Sequence, residues 1–430
     1  MPTNFANVLE TISYLSREII NDYDSMSESG TFLASTLRVK QLENDEVEAI
    51  IRNEDSNCLP VVARGQDLPI MGHGQYTRLA WSPPALGGIK LFNEKQLSNL
   101  LSPDKTRRNM ARNYIAEESK ALLDSGYKTL EKFCWQAFVM GAIAYRSPQD
   151  PRMIMNINYP IQMISLAATT YWGATNQASV VPITNMHAWL KEFGEVTGYK
   201  PAKIRMTTDT FFKLAESTQV STRITNWVQN ARGDIVAHDP VELAKFLGWP
   251  PIELQDNTML LHFVAKNAES SSTSPVVIEV KDAEAFNLSF LNVGDTAYIG
   301  AGSNSGGFYE GSWKEKQIIT AINPGVSLTV EALTNTHAAG IDVFVRSTFM
   351  PHEYIQLIDD RNPDHFMIGE APYGVDLNGP QNLYGWEADA FMYGIQPNNN
   401  IAHRVRNVAF PMMVRPKRVM RVKVRDIANE

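Results

Sequence analysis

The chain has 430 residues, a net charge of −8, 44% hydrophobic and 20% charged residues. That length allows about two to four domains, and the composition supports a large buried core, which excludes wholesale disorder. The acidic balance excludes a chain-wide nucleic-acid binder, and two cysteines, Cys58 and Cys134, exclude a disulfide framework.

Residues 1–35 carry apolar side chains at helical spacing, Phe5, Val8, Leu9, Ile12, Leu15 and Ile19, followed by an acidic loop. No basic stretch precedes an apolar one, so no secretory signal is expected here, and no window is apolar enough for a membrane span. Across residues 1–60 there are eleven Asp/Glu against four Lys/Arg, a net −7. Residues 36–92 read as strands near 36–39, 47–51, 59–64, 68–74 and 76–81, heavily punctuated by Gly and Pro. A two-stranded excursion carrying Arg64, Arg78 and Trp81 fits this pattern. Such a ribbon is marginal alone in water and needs a partner surface, so these three residues are candidate inter-subunit contacts.

Ser102, Pro103 and Asp104 give a helix start, and apolar residues recur at Met110, Tyr114, Leu122, Leu130, Phe133, Ala137 and Met140. The pattern predicts a helix over 103–140, on the order of 55 Å long, with Gly126 as a bend. That is a spine rather than a helix of a small domain. Residues 181–265 turn to α/β character. Helices are expected after Thr184-Asn185 and ending at Gly198, after Thr208-Asp209, and over 240–247. Strands are expected over 203–206, 252–256 and 259–264. A polar break at 269–275 precedes a purely β stretch, with strands near 276–280, 297–299, 317–322, 327–330 and 341–345, expected as a small antiparallel barrel or sandwich. The end of the chain alternates: Val419, Arg421, Lys423 and Arg425 on one face, Met420, Val422 and Val424 on the other.

Catalytic patterns are weak. The glycine-rich run 300–307 leads into a strand rather than a helix and lacks Gly-Lys-Ser/Thr, so it reads as a hairpin and not a phosphate loop. His352, His365 and Asp359-Asp360 match no metal spacing and read as solvated loop residues. Glu117 and Glu118 are neighbours on a helix and point to different faces. Trp172 reads as a core or interface aromatic. No catalytic residue, cofactor site or metal site is nominated. The basic strand over 415–425 could contact DNA by charge alone or pair with an acidic surface. The net −7 of residues 1–60 against +4 over 411–430 favours pairing, so Arg421, Lys423 and Arg425 join the candidate inter-subunit contacts.

The order of segments resembles the major capsid protein E family of tailed bacteriophages, the lambda head-protein type. The likeness is carried by the strand over 47–64 with Arg64-Gly65, the exit over 78–91 with Pro83-Pro84, the Arg-, Asn- and Glu-rich helix start over 105–126, the turn over 196–204, the Phe-Leu-Gly within 244–251 and the returning strand over 411–424. The resemblance implies an α+β Hong Kong 97-like capsid fold; the β stretch over 270–348 departs from it and is placed as an inserted all-β domain, on which the resemblance is silent. It divides the chain into an N-terminal arm (1–35), extended β loop (36–92), peripheral domain with spine helix (93–180), axial domain first part (181–269), inserted β domain (270–348), axial domain second part (349–400) and a C-terminal strand of the peripheral domain (401–430). It further implies a non-enzymatic shell protein, assembled in the host cytoplasm into hexamers and pentamers of a virion. Scaffolding, portal and decoration proteins are implied partners, with weak non-specific contact to packaged double-stranded DNA. No large removed N-terminal segment is expected. The alternatives are an encapsulin-like nanocompartment shell of the same fold, an α/β enzyme with a β appendage, and a tail-tube or decoration protein, which the long helix disfavours.

Overall fold

The structure is a computed structural model, and it describes residues 37–42, 47–52, 76–81, 85–92, 99, 102, 104–146, 154–173, 179–230, 239–282, 285–301, 315–372, 374–375, 382–393 and 400–427. The chain divides into two compact units, Met1–Cys134 with Pro363–Val414, and Trp135–Asn362 with Arg415–Glu430. The division falls at the end of the long helix and again at 414/415. The last strand, Val419–Lys423, hydrogen-bonds into the sheet of the second unit.

The long helix runs Lys105–Trp135, and a π-helical turn, Gln136–Met140, follows it in sequence to Gly141. The expected extent is thus met, though the N-cap is Asp104, which accepts from Thr106 N at 2.9 Å. Gly141, at φ 70°, ends the run in the left-handed region that glycine tolerates. Gly126 lies within the unbroken helix. Its missing side chain lets the ring of Trp386 lie against the backbone, where a Cβ would collide with it. Ile115, Ser119, Leu123 and Leu130, at steps of a helical turn, form the helix's buried side. Leu123 packs with Val405, Leu122, Tyr127 and Trp386.

Strands Leu86–Phe92, Asn400–Asn407 and Glu387–Tyr393 form an antiparallel sheet with Asn400–Asn407 central. Arg38–Gln41 pairs parallel to Phe366–Glu370, which pairs antiparallel to Ala409–Met413. The expected ribbon is present: Val47–Arg52 and Tyr76–Trp81 pair antiparallel, with Ile50 opposite Arg78 and Val47 opposite Trp81. The strands expected over 59–64 and 68–74, with Arg64 and Cys58, lie outside the described residues, as do residues 1–36.

The second unit holds a five-stranded mixed sheet in the order Gln162–Ser165, Val419–Lys423, Tyr354–Ile358, Lys203–Met206, Ile252–Leu254. Helices Pro182–Thr197, Thr208–Glu216, Thr218–Asn230 and Pro240–Leu247 supply its apolar partners. Trp172, Met186, Phe193, Phe211, Leu243, Leu357, Met420 and Val422 share one core. Trp172 is fully buried and stacks on Trp189 at 6.3 Å between ring centroids. Helix Thr218–Asn230 escaped the sequence reading, although Val220, Ile224, Trp227 and Val228 recur at helical spacing, because Thr and Ser are frequent in its first half.

The β stretch is an antiparallel six-stranded sheet in the order Thr258–Val264, Asp342–Thr348, Thr296–Ala301, Glu315–Asn323, Ser327–Val330, Val276–Glu279. Its two outer strands meet through the Ala265–Val280 bridge, with Lys266 N donating to Glu279 O (2.7 Å) and Lys281 N to Val264 O (3.0 Å). That contact closes the sheet into a small barrel. Thr258–Val264 is one of the barrel's strands, and the barrel lies within the second unit. The glycine-rich run lies between Thr296–Ala301 and Glu315–Asn323, which pair as a hairpin.

Candidate assembly surfaces

The terminal strand Val419–Lys423 alternates as its sequence dictates. Met420, Val422 and Val424 enter the core, and the basic residues take the opposite side. Each basic side chain has a partner within the chain. Arg421 Nη1 donates to Met140 O at 2.8 Å, and its guanidinium lies 4.9 Å from the Tyr354 ring centroid. Lys423 Nζ sits 3.2 Å from Glu353 and 3.4 Å from Asp426. Burial works against the Lys423 charge, but Glu353 outweighs it and holds the ammonium above its ordinary pKa. Arg425 is buried and ion-paired with Asp209, in the first turn of helix Thr208–Glu216. Lys423 and Arg425 are thus met by carboxylates of the same chain, and Arg421 by a carbonyl and an aromatic ring. The expected partner, the acidic segment 1–60, lies mostly outside the described residues.

The reading of Asp359-Asp360 and His365 as solvated loop residues is corrected. Asp359 and His365 are buried. Asp359 pairs with Arg418 and, at 2.6 Å, with Arg361 Nε. Burial opposes its ionisation, yet the hydrogen bonds and charges of Arg361 and Arg418 prevail and hold the carboxyl below the usual range. Asp360 meets Lys203 at 3.1 Å and Arg205 at 3.2 Å, and both cations meet Glu253 at 2.9 Å. Arg205, 3% exposed, also faces the Trp135 ring at 5.7 Å. The sequence carried a signal for this network: Lys203 and Arg205 alternate with Ile204 and Met206, and Glu253 sits between Ile252 and Leu254. His352 is largely buried as well, and burial lowers its pKa from the ordinary imidazole value. Cys134 is buried, and burial lifts its thiol pKa well above the ordinary value.

Glu117 and Glu118 diverge as expected: Glu118 ion-pairs with Lys90, and Glu117 is exposed. No group of three or more metal-ligating side chains occurs among the described residues, and no described helix is long and apolar enough to cross a membrane. The long helix, by contrast, exposes a charged and apolar surface at its start. A cleft of about 470 Å³ there is lined by Asn99, Arg107, Met110, Ala111, Tyr114 and Ile115.

Buried ion pairs in the second unit, a paired ribbon and a long helix exposed at its start are features of a structural subunit. The profile of the phage major capsid protein E family matches residues 21–253, more than half of the chain, and the chain belongs to that family. It is a capsid shell protein, a component of a phage virion, with the mixed helix-and-sheet fold expected from its sequence. A comparison with curated proteins finds no match. Among solved structures it is similar to a putative prophage capsid protein from E. coli CFT073, at 10% identity over 95% of this chain and 99% of that one, TM-score 0.46. It is also similar to the capsid of cyanophage A-1(L), at 9% identity over 93% and 95%, TM-score 0.40. An encapsulin complex from Synechococcus elongatus PCC 7942 gives 8% identity over 93% and 88%, TM-score 0.37.

Proposed function

We propose that this capsid protein assembles in the host cytoplasm into hexamers and pentamers of an icosahedral shell around double-stranded DNA, and that it catalyses no reaction. The observation that carries the reading is the two-stranded ribbon Val47–Arg52 and Tyr76–Trp81 in a chain of the capsid family. A two-stranded ribbon is marginal by itself in water, so a neighbouring subunit is the support proposed for it. Many such weak contacts add up once the shell closes. Scaffolding, portal and decoration proteins are the partners that such assembly calls for. DNA meets the inner wall by charge alone, without sequence preference.

Arg64, Arg78 and Trp81 are proposed as the ribbon's contacts to a neighbour. Arg421, Lys423 and Arg425, with intramolecular partners already in place, serve assembly by fixing the terminal strand. Combined substitution of Arg64, Arg78 and Trp81 by alanine should leave the subunit folded and abolish large particles in sedimentation velocity. Unchanged particle formation by that variant would remove the ribbon from the account.

A further inference from the structure

Lys423 and Arg425 already meet carboxylates within the chain, so a second cationic surface for the acidic N-terminal segment is sought elsewhere. The start of the long helix offers one. Lys105, Arg108 and Arg112 follow each other at steps of three and four, one row along the helix. They make no ion pair with any described residue, and Arg107 reaches only Asp104, at 3.9 Å. Cations at this end oppose the helix dipole, which favours anions there. A local rule broken without an internal compensation marks a surface kept for a partner.

Beside the basic row runs an apolar one. Arg107, Met110, Ala111, Tyr114 and Ile115 line the cleft, and Met110 is 66% exposed. A phosphate backbone would use the charges but not this apolar floor. An acidic amphipathic segment would use both. Residues 5–24 have that pattern: Phe5, Val8, Leu9, Ile12, Leu15 and Ile19 form one stripe at helical spacing, and Glu18 and Asp22, four apart, flank it.

We infer that the cleft and basic row at the start of helix Lys105–Trp135 dock the chain's own N-terminal segment, residues 5–24, its apolar stripe on Met110, Ala111 and Tyr114 and its carboxylates on Arg108 and Arg112. The inference rests on the shell reading as its setting, and its test does not depend on shells forming. A photo-crosslinking amino acid replaces Met110 in the full chain, which is irradiated whether assembled or not, and the adducts are mapped by mass spectrometry. The expected adduct joins position 110 to a peptide within residues 5–24. Arg108→Glu with Arg112→Glu should cut its yield roughly tenfold, and adding Glu18→Lys with Asp22→Lys should restore it. An adduct to another segment or to nucleic acid, or a yield indifferent to both reversals, overturns the docking. Negative-stain images of the same samples report on particle formation separately, so loss of the docking and loss of the shell reading are told apart.

Discussion

Asp359 is a buried carboxylate held by two arginines. It is 1% exposed, joins Arg361 and Arg418, and sits beside Asp360, which joins Lys203 and Arg205. Removing one member of a buried pair leaves the other charge without compensation, a loss of about 3–5 kcal/mol. Asp359→Asn should therefore lower subunit stability by that order in urea denaturation of unassembled protein. The same residue has a pH signature. Its folded pKa is depressed, so its stabilisation is complete above the ordinary carboxylate value and is lost as pH falls through the lower folded value. Glu253 and Glu315 act in the same direction. Glu353 and Glu269, raised first of all by burial, act in the opposite one. The clean measurement is a difference: below about pH 4 the wild type should lose more stability than Asp359→Asn. Parallel acid curves would show that Asp359 carries no such linkage.

At the scale of elements, regular patterning was legible and special geometry was not. Strand Lys203–Met206 and helix Pro240–Leu247 appear at the residues their alternation and caps specify. Capping, a single stripe and a terminal glycine are local signals, and they act wherever the segment packs. The role of Gly126 was hidden, because the reason for it is Trp386, 260 positions away in sequence. Gly126→Ala should raise helix propensity yet destabilise, since the new methyl meets the Trp386 ring; overpacking of this kind costs about 1–3 kcal/mol. A thermal melt checks the sign, and a stabilised variant would mean that the ring moves aside freely. The closure of the barrel was equally hidden. The strands were readable one by one, but the joining of Thr258–Val264 to Val276–Glu279 across the Ala265–Val280 bridge depends on where a polar connection folds back.

At the scale of the whole molecule, the order of segments carried the identification. No single motif in the sequence is diagnostic, and the candidate contact residues show why. Spacing marked Arg421 and Lys423 as one face of a strand that ends at Lys423, but not that Met140 and Glu353 would meet them or that Asp209 would meet Arg425 just beyond it. Exposure to a neighbour and burial against a distant part of the same chain leave the same alternation. What separates them is tertiary structure: a strand central to a sheet has its charges met at home, whereas the paired ribbon of Val47–Arg52 and Tyr76–Trp81 forms a two-stranded sheet of its own. The central claim is that this chain builds a closed shell. Cryo-electron microscopy of the full-length protein, expressed with the scaffolding protein of its phage, tests it most directly. The account predicts closed icosahedral particles whose wall is made of rings of six and five subunits. Uniform monomers or open, unclosed oligomers under the same conditions would contradict it.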